Sequence, residues 1–147
     1  MAVEGWIKKG PETFKHGALT SKIIGVFYDV YNELGYGFLE SVYSKSLLFA
    51  LNSASLKAVT KVQIPVTFRG RNVGNFEADI LVENRVLLEL KSARALDSSH
   101  AAQLLNYLRA TPIEVGLLLN FGMKPEFKRL IFDNTRKLIR AGPRRSQ

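Results

Sequence analysis

Three charged side chains interrupt an otherwise aliphatic stretch, "ADILVENRVLLELKS", from Ala78 to Ser92. Asp79 lies in its first arm, Glu89 and Lys91 in its second. Side chains of a strand alternate faces, so Glu89 and Lys91 share one face while Val86, Leu88 and Leu90 take the other. A three-residue turn, Glu83 to Arg85, pairs Val82 with Val86. Asp79 then lies opposite Glu89, with Cβ atoms about 5 Å apart. A two-residue turn pairs Asp79 with Leu88 instead and sends Glu89 to the wrong face. The stretch therefore predicts a loop of odd length, or a bulge that restores the phase. Two carboxylates so close repel each other, and a divalent cation resolves the repulsion. Hard oxygen ligands suit Mg²⁺, which combines one or two carboxylates with waters and phosphate oxygens. Such an ion lowers the pKa of a water and stabilises charge on a phosphoryl group. Lys91, on the same face, can orient or deprotonate the water and contact phosphate. A polar sheet face with a Glu–Lys pair at its rim accounts for the same residues without chemistry.

Two further groups have suggestive spacing. In "GFLESVY", Gly37 to Tyr43, Glu40 and Tyr43 are three apart, on one side of a helix. Leu39 and Val42 flank Glu40, which places it near the core boundary. A glutamate in a first helical turn also has a simpler use, favouring the helix dipole. In "HAAQLLNYL", Gln103 and Tyr107 are spaced i, i+4, with His100 one turn earlier. They form a polar stripe opposite Ala101, Leu104, Leu105 and Leu108, which any amphipathic helix would show. His100 has no second histidine nearby to make a metal site.

The elements that must hold these residues follow from periodicity. Thr20 or Ser21 caps a helix from Lys22 to Leu34, with Ile23, Ile24, Phe27, Val30, Tyr31 and Leu34 on its buried side and Gly35 as its stop. A second helix runs from about Phe38 to Asn52, burying Leu39, Val42, Tyr43, Leu47 and Ala50. The period then changes to two: Val62, Ile64, Val66 and Phe68 predict a strand, and Pro65 puts it at an edge or a bulge. Val73–Val82 and Val86–Lys91 are the next strands. Asp97 or Ser98 caps a helix through Arg109, which Pro112 ends. "IEVGLLLNF" predicts a buried central strand. The spacing of "FKRLIFDN" fits a strand or a helix equally. The order is α-α-β-β-β-α-β, an α/β fold with a mixed β-sheet flanked by helices.

Composition narrows the class. The chain has 147 residues, 46% hydrophobic and 23% charged, as in an ordinary globular domain. It has no cysteine, which excludes disulfides, thiolate-held metals and a thiol nucleophile. No apolar run is long enough to span a membrane, and no secretion signal is evident at the N-terminus, so a cytoplasmic location is expected. The net charge is +8, of which +6 falls between Lys124 and Gln147. That basic end, with Lys124, Lys128 and Arg129, suggests a polyanion partner, nucleic acid first. A solvated tail explains "RAGPRRSQ" equally well. Residues 1–19 read as a lead-in, 20–135 as the folded domain and 136–147 as a basic tail.

At this point the residues resemble a known family. Asp79…Glu89-Leu90-Lys91 looks like the D…(D/E)xK signature of the PD-(D/E)XK nuclease superfamily. Gly37 to Tyr43 is similar to the GxxExxY motif of one bacterial family within it. Gln103-Leu104-Leu105-Asn106-Tyr107 resembles the QxxxY motif of its exonuclease-like branch. Ala78 stands where the superfamily name has proline. The resemblance implies a restriction-endonuclease-like core over about Thr20 to Phe132. It implies that Asp79 and Glu89 ligate Mg²⁺ or Mn²⁺, with the Leu90 carbonyl as a further ligand. It implies that Lys91 positions the attacking water and that Glu40 adds a metal or water contact. Gln103 and Tyr107 would hold the site or the nucleic-acid backbone. The leading expectation is therefore a metal-dependent nuclease, acting on DNA rather than RNA. The alternatives are a nucleic-acid-binding module that does not cut, and a structural domain in which the three charges form a static network. Trp6, Tyr36 and Phe121 are the aromatics available to stack on bases.

Overall fold

The undecided segment after "IEVGLLLNF" proves to be a strand, and it completes a five-stranded sheet. The structure, a computed structural model, describes residues 14–137. Trp6 and the end of the basic tail, including Arg144 and Arg145, lie outside the described residues. Helix α1 spans Gly17–Leu34 and α2 spans Glu40–Ser53. Strands β1 (Ala58–Phe68), β2 (Arg71–Val82) and β3 (Val86–Lys91) follow, then α3 (Ser98–Arg109), β4 (Val115–Phe121) and β5 (Pro125–Ile131). The strands lie in chain order across the sheet. Three neighbouring pairs are antiparallel, and β3 and β4 are parallel, joined through α3. This is the mixed, helix-flanked α/β sheet of a restriction-endonuclease-like core.

Two hydrophobic clusters sandwich the sheet. On one face Ile80, Val82, Val86, Leu88, Leu90, Leu117 and Leu119 pack against Ile23 and Phe27 of α1 and Tyr43, Leu47 and Leu51 of α2. On the other, Ala78, Leu87 and Leu118 pack against Leu104, Tyr107 and Leu108 of α3. Each fully buried aliphatic stabilises the fold by about 1.5–3 kcal/mol relative to exposure. Val86 and Leu88 on one face and Leu87 on the other explain why β3 reads as a continuous apolar run. Both of its faces are covered.

Several boundaries differ from expectation for local reasons. Helix α1 begins at Gly17 rather than Lys22, with His16 as N-cap. Thr20 sits inside the first turn, where its hydroxyl donates to the Gly17 carbonyl at 3.1 Å. Helix α2 begins at Glu40, and the buried stripe is Tyr43, Leu47 and Leu51, four apart. Leu39, expected inside, is the N-cap and 77% exposed. Strand β1 starts at Ala58, four residues before Val62. It is an edge strand, which accommodates Pro65, and its pairing with β2 slips between Val66 and Thr67. Strand β4 is buried throughout, paired on both sides. Asp97 does cap α3: its Oδ1 accepts from the N–H groups of Ser99 and His100, and His100 Nδ1 accepts from the Asp97 N–H. That capping box gives His100 a structural use.

Candidate active site

The turn after β2 sets the phase of the site. Val82 pairs with Val86 around the three residues Glu83 to Arg85, the odd-length loop the alternation requires. Glu83 and Asn84 have φ of 52° and 56°, and the Arg85 N–H donates to the Val82 carbonyl at 2.9 Å. Beyond Ile80 and Leu88 the ladder between β2 and β3 ends. Asp79 therefore does not form a backbone pair with Glu89. Its side chain moves into the gap, and Oδ2 accepts the Leu90 N–H at 2.7 Å. The β1–β2 ladder passes from Thr60–Ile80 to Val62–Ala78 without pairing Lys61 and Asp79, and Lys61 has φ of 54°, so the edge strand is also distorted at this level. The distortion lets a carboxylate enter a region where regular β-structure would place backbone.

Glu89 sits in the interior of the sheet beside Leu118 of β4 and is 5% exposed. Its Oε2 lies 3.8 Å from Lys91 Nζ, while its buried Oε1 has no hydrogen-bond partner. Burial, reinforced by the charge of Asp79, raises the Glu89 pKa to about 8. Burial also raises that of Asp79, against the lowering effect of the Leu90 N–H. Without a cation the two carboxylates thus resist being ionised together. An orphaned buried oxygen beside a second strained carboxylate is an environment that a divalent ion relieves, so the donor chemistry fits Mg²⁺ or Mn²⁺. Among the described residues no three His, Asp or Glu side chains converge as a metal-ligand cluster.

Lys91 is held from α3. Its Nζ donates to Gln103 Oε1 at 2.9 Å, and Gln103 Nε2 donates to the Tyr107 hydroxyl at 3.0 Å. The i, i+4 spacing lets Tyr107 fix which end of the Gln103 amide faces the lysine. Tyr107 is not on a polar outer face as expected. It is 5% exposed, and its ring lies 5.3 Å from that of Phe76. Burial, and next the charge of Glu89, raises its pKa.

The "GFLESVY" residues meet on the other side of the sheet. Gly37 has φ of 111°, a conformation open to glycine, and starts the turn into α2. Tyr43 is fully buried, and its hydroxyl donates to the Gly35 carbonyl at 2.6 Å and accepts from the Phe38 N–H at 3.2 Å. Its ring stacks on Phe121 at 4.2 Å. Tyr43 thus fastens the turn that presents Glu40. Glu40 itself is exposed rather than at the core boundary. It lines an open groove of about 590 Å³ together with Lys61, Glu77, Asp79 and Leu90. Its charge raises the pKa of both Asp79 and Glu89.

A family model described as the PD-(D/E)XK nuclease superfamily matches residues 17–130, which hold every residue of this site. The chain belongs to the PD-(D/E)XK nuclease superfamily. No curated protein matches the chain significantly. Among solved structures it is similar to one described as the crystal structure of SSO0001, with 20% identity and a TM-score of 0.50. That likeness covers 64% of this chain and 50% of the other, so this chain spans about half its length. It supports the fold. Nucleases of this superfamily act on nucleic acid with divalent metal ions. Among the described residues no helix is long and apolar enough to cross a membrane.

In this member of the PD-(D/E)XK nuclease superfamily the basic residues of β5 are less united than their spacing implies. Lys128 and Arg129 are consecutive on a strand, so they point to opposite faces. Arg129 is half-buried, its guanidinium donating to the Lys15 carbonyl and lying 5.2 Å from the Phe14 ring. Burial lowers its pKa. Lys128 and Lys124 are exposed. Lys137, counted in the basic end, is buried and donates to the carbonyls of Thr111 and Ile113, each at 2.7 Å. Phe121 is a core residue, stacked on Tyr43 and edge-on to Phe27, and is closed to bases. Tyr36 is exposed.

One supporting residue escaped the sequence reading. Asn120, fully buried at the end of β4, clamps the segment after Lys91. Its Oδ1 accepts from the Ala93 N–H and its Nδ2 donates to the Ala93 carbonyl, both at 2.9 Å. The register aligns Asn120 with Lys91, so this clamp lies beside the site lysine. Gly122 permits the close approach: a Cβ there would stand 2.5 Å from the Ala93 oxygen.

Proposed function

We propose that this chain is a nuclease of the GxxExxY kind that hydrolyses phosphodiester bonds in DNA with Mg²⁺ or Mn²⁺. The observation that carries the reading is Glu89 Oε1, buried and unpartnered beside Asp79 and within one strand of a tethered lysine. Asp79 and Glu89 are the residues that would hold the ion, with the Leu90 carbonyl as a further oxygen. A bound divalent ion supplies positive charge to the phosphoryl oxygens and acidity to a water.

The chain's own groups do the rest. Lys91 Nζ, steered by Gln103, holds the attacking water or a non-bridging phosphate oxygen. Tyr107, being buried, contributes through Gln103 and not by touching the nucleic acid. Glu40 faces the groove and accepts a hydrogen bond from a water there. Water attacks phosphorus in line, and the bond to the leaving oxygen breaks on the opposite side. Lys124 and Lys128 attract the polyanion at longer range, whereas the buried contacts of Arg129 leave it little part in this. The nuclease unit, expected at residues 20–135, takes in Gly17, where α1 begins, and Lys137, whose buried side chain holds the Thr111 and Ile113 carbonyls. A cytoplasmic enzyme is consistent with this reading.

The test is degradation of labelled single- and double-stranded DNA in Mg²⁺, Mn²⁺ or EDTA. Cleavage is expected with a divalent ion and not with EDTA. Asp79→Ala and Lys91→Ala should each lower it by about 10² or more. Wild type that binds DNA with steep salt dependence yet never cuts would replace this reading with that of a binding module.

A further inference from the structure

The β1–β2 hairpin runs well past its neighbour in the sheet. β3 pairs with β2 only from Ile80 to Val82, while β1 and β2 stay paired as far as Phe68 and Arg71. The distal part is anchored rather than loose. Ile64 packs with Leu104 and Tyr107 of α3, and the Phe76 ring meets that of Tyr107.

Its charge is one-sided. From Lys61 to Phe76 there are three cations, Lys61, Arg69 and Arg71, and no Asp or Glu; the acids of the hairpin, Glu77 opposite Gln63 and Asp79, stand at its groove end. The tip is exposed throughout from Phe68 to Val73. Phe68 is 58% and Val73 61% exposed. The Arg69 guanidinium lies over the Phe68 ring, 4.9 Å from its centroid. Among the described residues neither Arg69 nor Arg71 forms an ion pair. At the other end this basic edge opens into the groove, because Lys61 lines it beside Asp79.

A bare edge strand invites another strand, but this one is guarded. Pro65 has no N–H, Lys61 is left-handed, and the register slips at Val66/Thr67. A polyanion suits the edge better than strand pairing. Arg71 is eight residues from Asp79 along β2, roughly 25 Å of strand. At about 3.4 Å per base pair that is roughly seven or eight base pairs. A duplex is stiff over such a length, with a persistence length of about 150 base pairs, and can bridge both points.

We propose that the β1–β2 hairpin is a duplex-DNA-binding arm that continues the catalytic groove. Arg69 and Arg71 contact phosphates away from the cleavage point, and Phe68 and Val73 pack against the sugar edge. The proposal rests on nucleic acid being the substrate, but its test needs no turnover. In EDTA, fluorescence anisotropy follows wild type and the R69A/R71A double variant on a labelled 24-base-pair duplex and on a 6-base-pair stem. The variant should bind the long duplex about tenfold more weakly and flatten its salt dependence by about 2 in slope, near 0.9 for each phosphate no longer neutralised. Binding of the short stem should be unchanged. Equal loss on both lengths, or no loss on the long duplex, overturns the arm. Tighter binding of a single strand with the same sensitivity overturns the choice of duplex. A protein that shows the length-dependent loss but never cuts would sink the nuclease reading alone. One that cuts while the variant binds as wild type does would sink the arm alone.

Discussion

Glu89→Gln should make the metal-free protein more stable in alkali, although it removes a residue placed at the centre of the chemistry. The cause is the raised pKa, about 8 in the fold against 4.5 for an ordinary glutamate. Between those values the folded state binds a proton that the unfolded state has released. Stability therefore falls as pH rises through this window, and the loss is complete above the folded pKa. At about 1.4 kcal/mol per pH unit, the window carries about 5 kcal/mol. Glutamine has the same shape and no charge to bury, so that slope disappears. Urea denaturation of both proteins in EDTA, at pH 4.5 and pH 9, reads the difference directly. The variant should gain on wild type by several kcal/mol over this range, on the order of 5. Adding Mg²⁺ or Mn²⁺ at pH 9 should recover stability for wild type and do little for the variant. Parallel pH–stability curves for the two proteins would refute the claim that the Glu89 carboxyl is strained. A wild type that gains nothing from divalent ions would refute the claim that the strain is relieved by metal.

Tyr107→Phe removes the hydroxyl that receives Gln103 Nε2, which frees the amide to turn away from Lys91. Cleavage should slow about tenfold through kcat with KM little changed, and stability should move by about 1 kcal/mol; an equal fall in binding would speak against a positioning role. Gly122→Ala drives a methyl toward the Ala93 oxygen and Asn120 Nδ2, at 2.5 and 2.9 Å. It should cost about 1–3 kcal/mol in a denaturation midpoint, and a neutral result would show that the segment after β3 yields freely.

Much of the site was legible because period two is unforgiving. Once Val82 and Val86 face each other, the loop length decides which face Asp79 shares, and the phase asks for an odd-length loop or a bulge; the structure has the three-residue turn. What could not be read was that the ladder would end at Ile80, giving the Asp79 carboxylate a backbone N–H to hold. Asn120 was hidden for a different reason. In "GLLLNF" it looks like a polar end to an apolar strand, and its use depends on Ala93, 27 residues away. The amphipathic pattern of its helix puts Tyr107 on a polar stripe, but Phe76 from the hairpin covers it. Charge counting erred at Arg129 and Lys137 because a count does not tell which cations the fold buries. The undecided final segment became a strand through the free edge of β4, a tertiary cause without a local signature.

The Leu90 N–H ends, not on a carbonyl, but on the ionisable side chain of Asp79. A backbone carbonyl keeps the same charge at every pH, whereas this acceptor changes whenever Asp79 gains a proton or shares its electrons with a cation. The main chain of β3 is thereby wired to the electrostatic state of the site. One amide resonance, that of Leu90, carries this information in its chemical shift and in its exchange with solvent. It makes the protein its own indicator, legible in a nitrogen–proton correlation spectrum before any nucleic acid has been added.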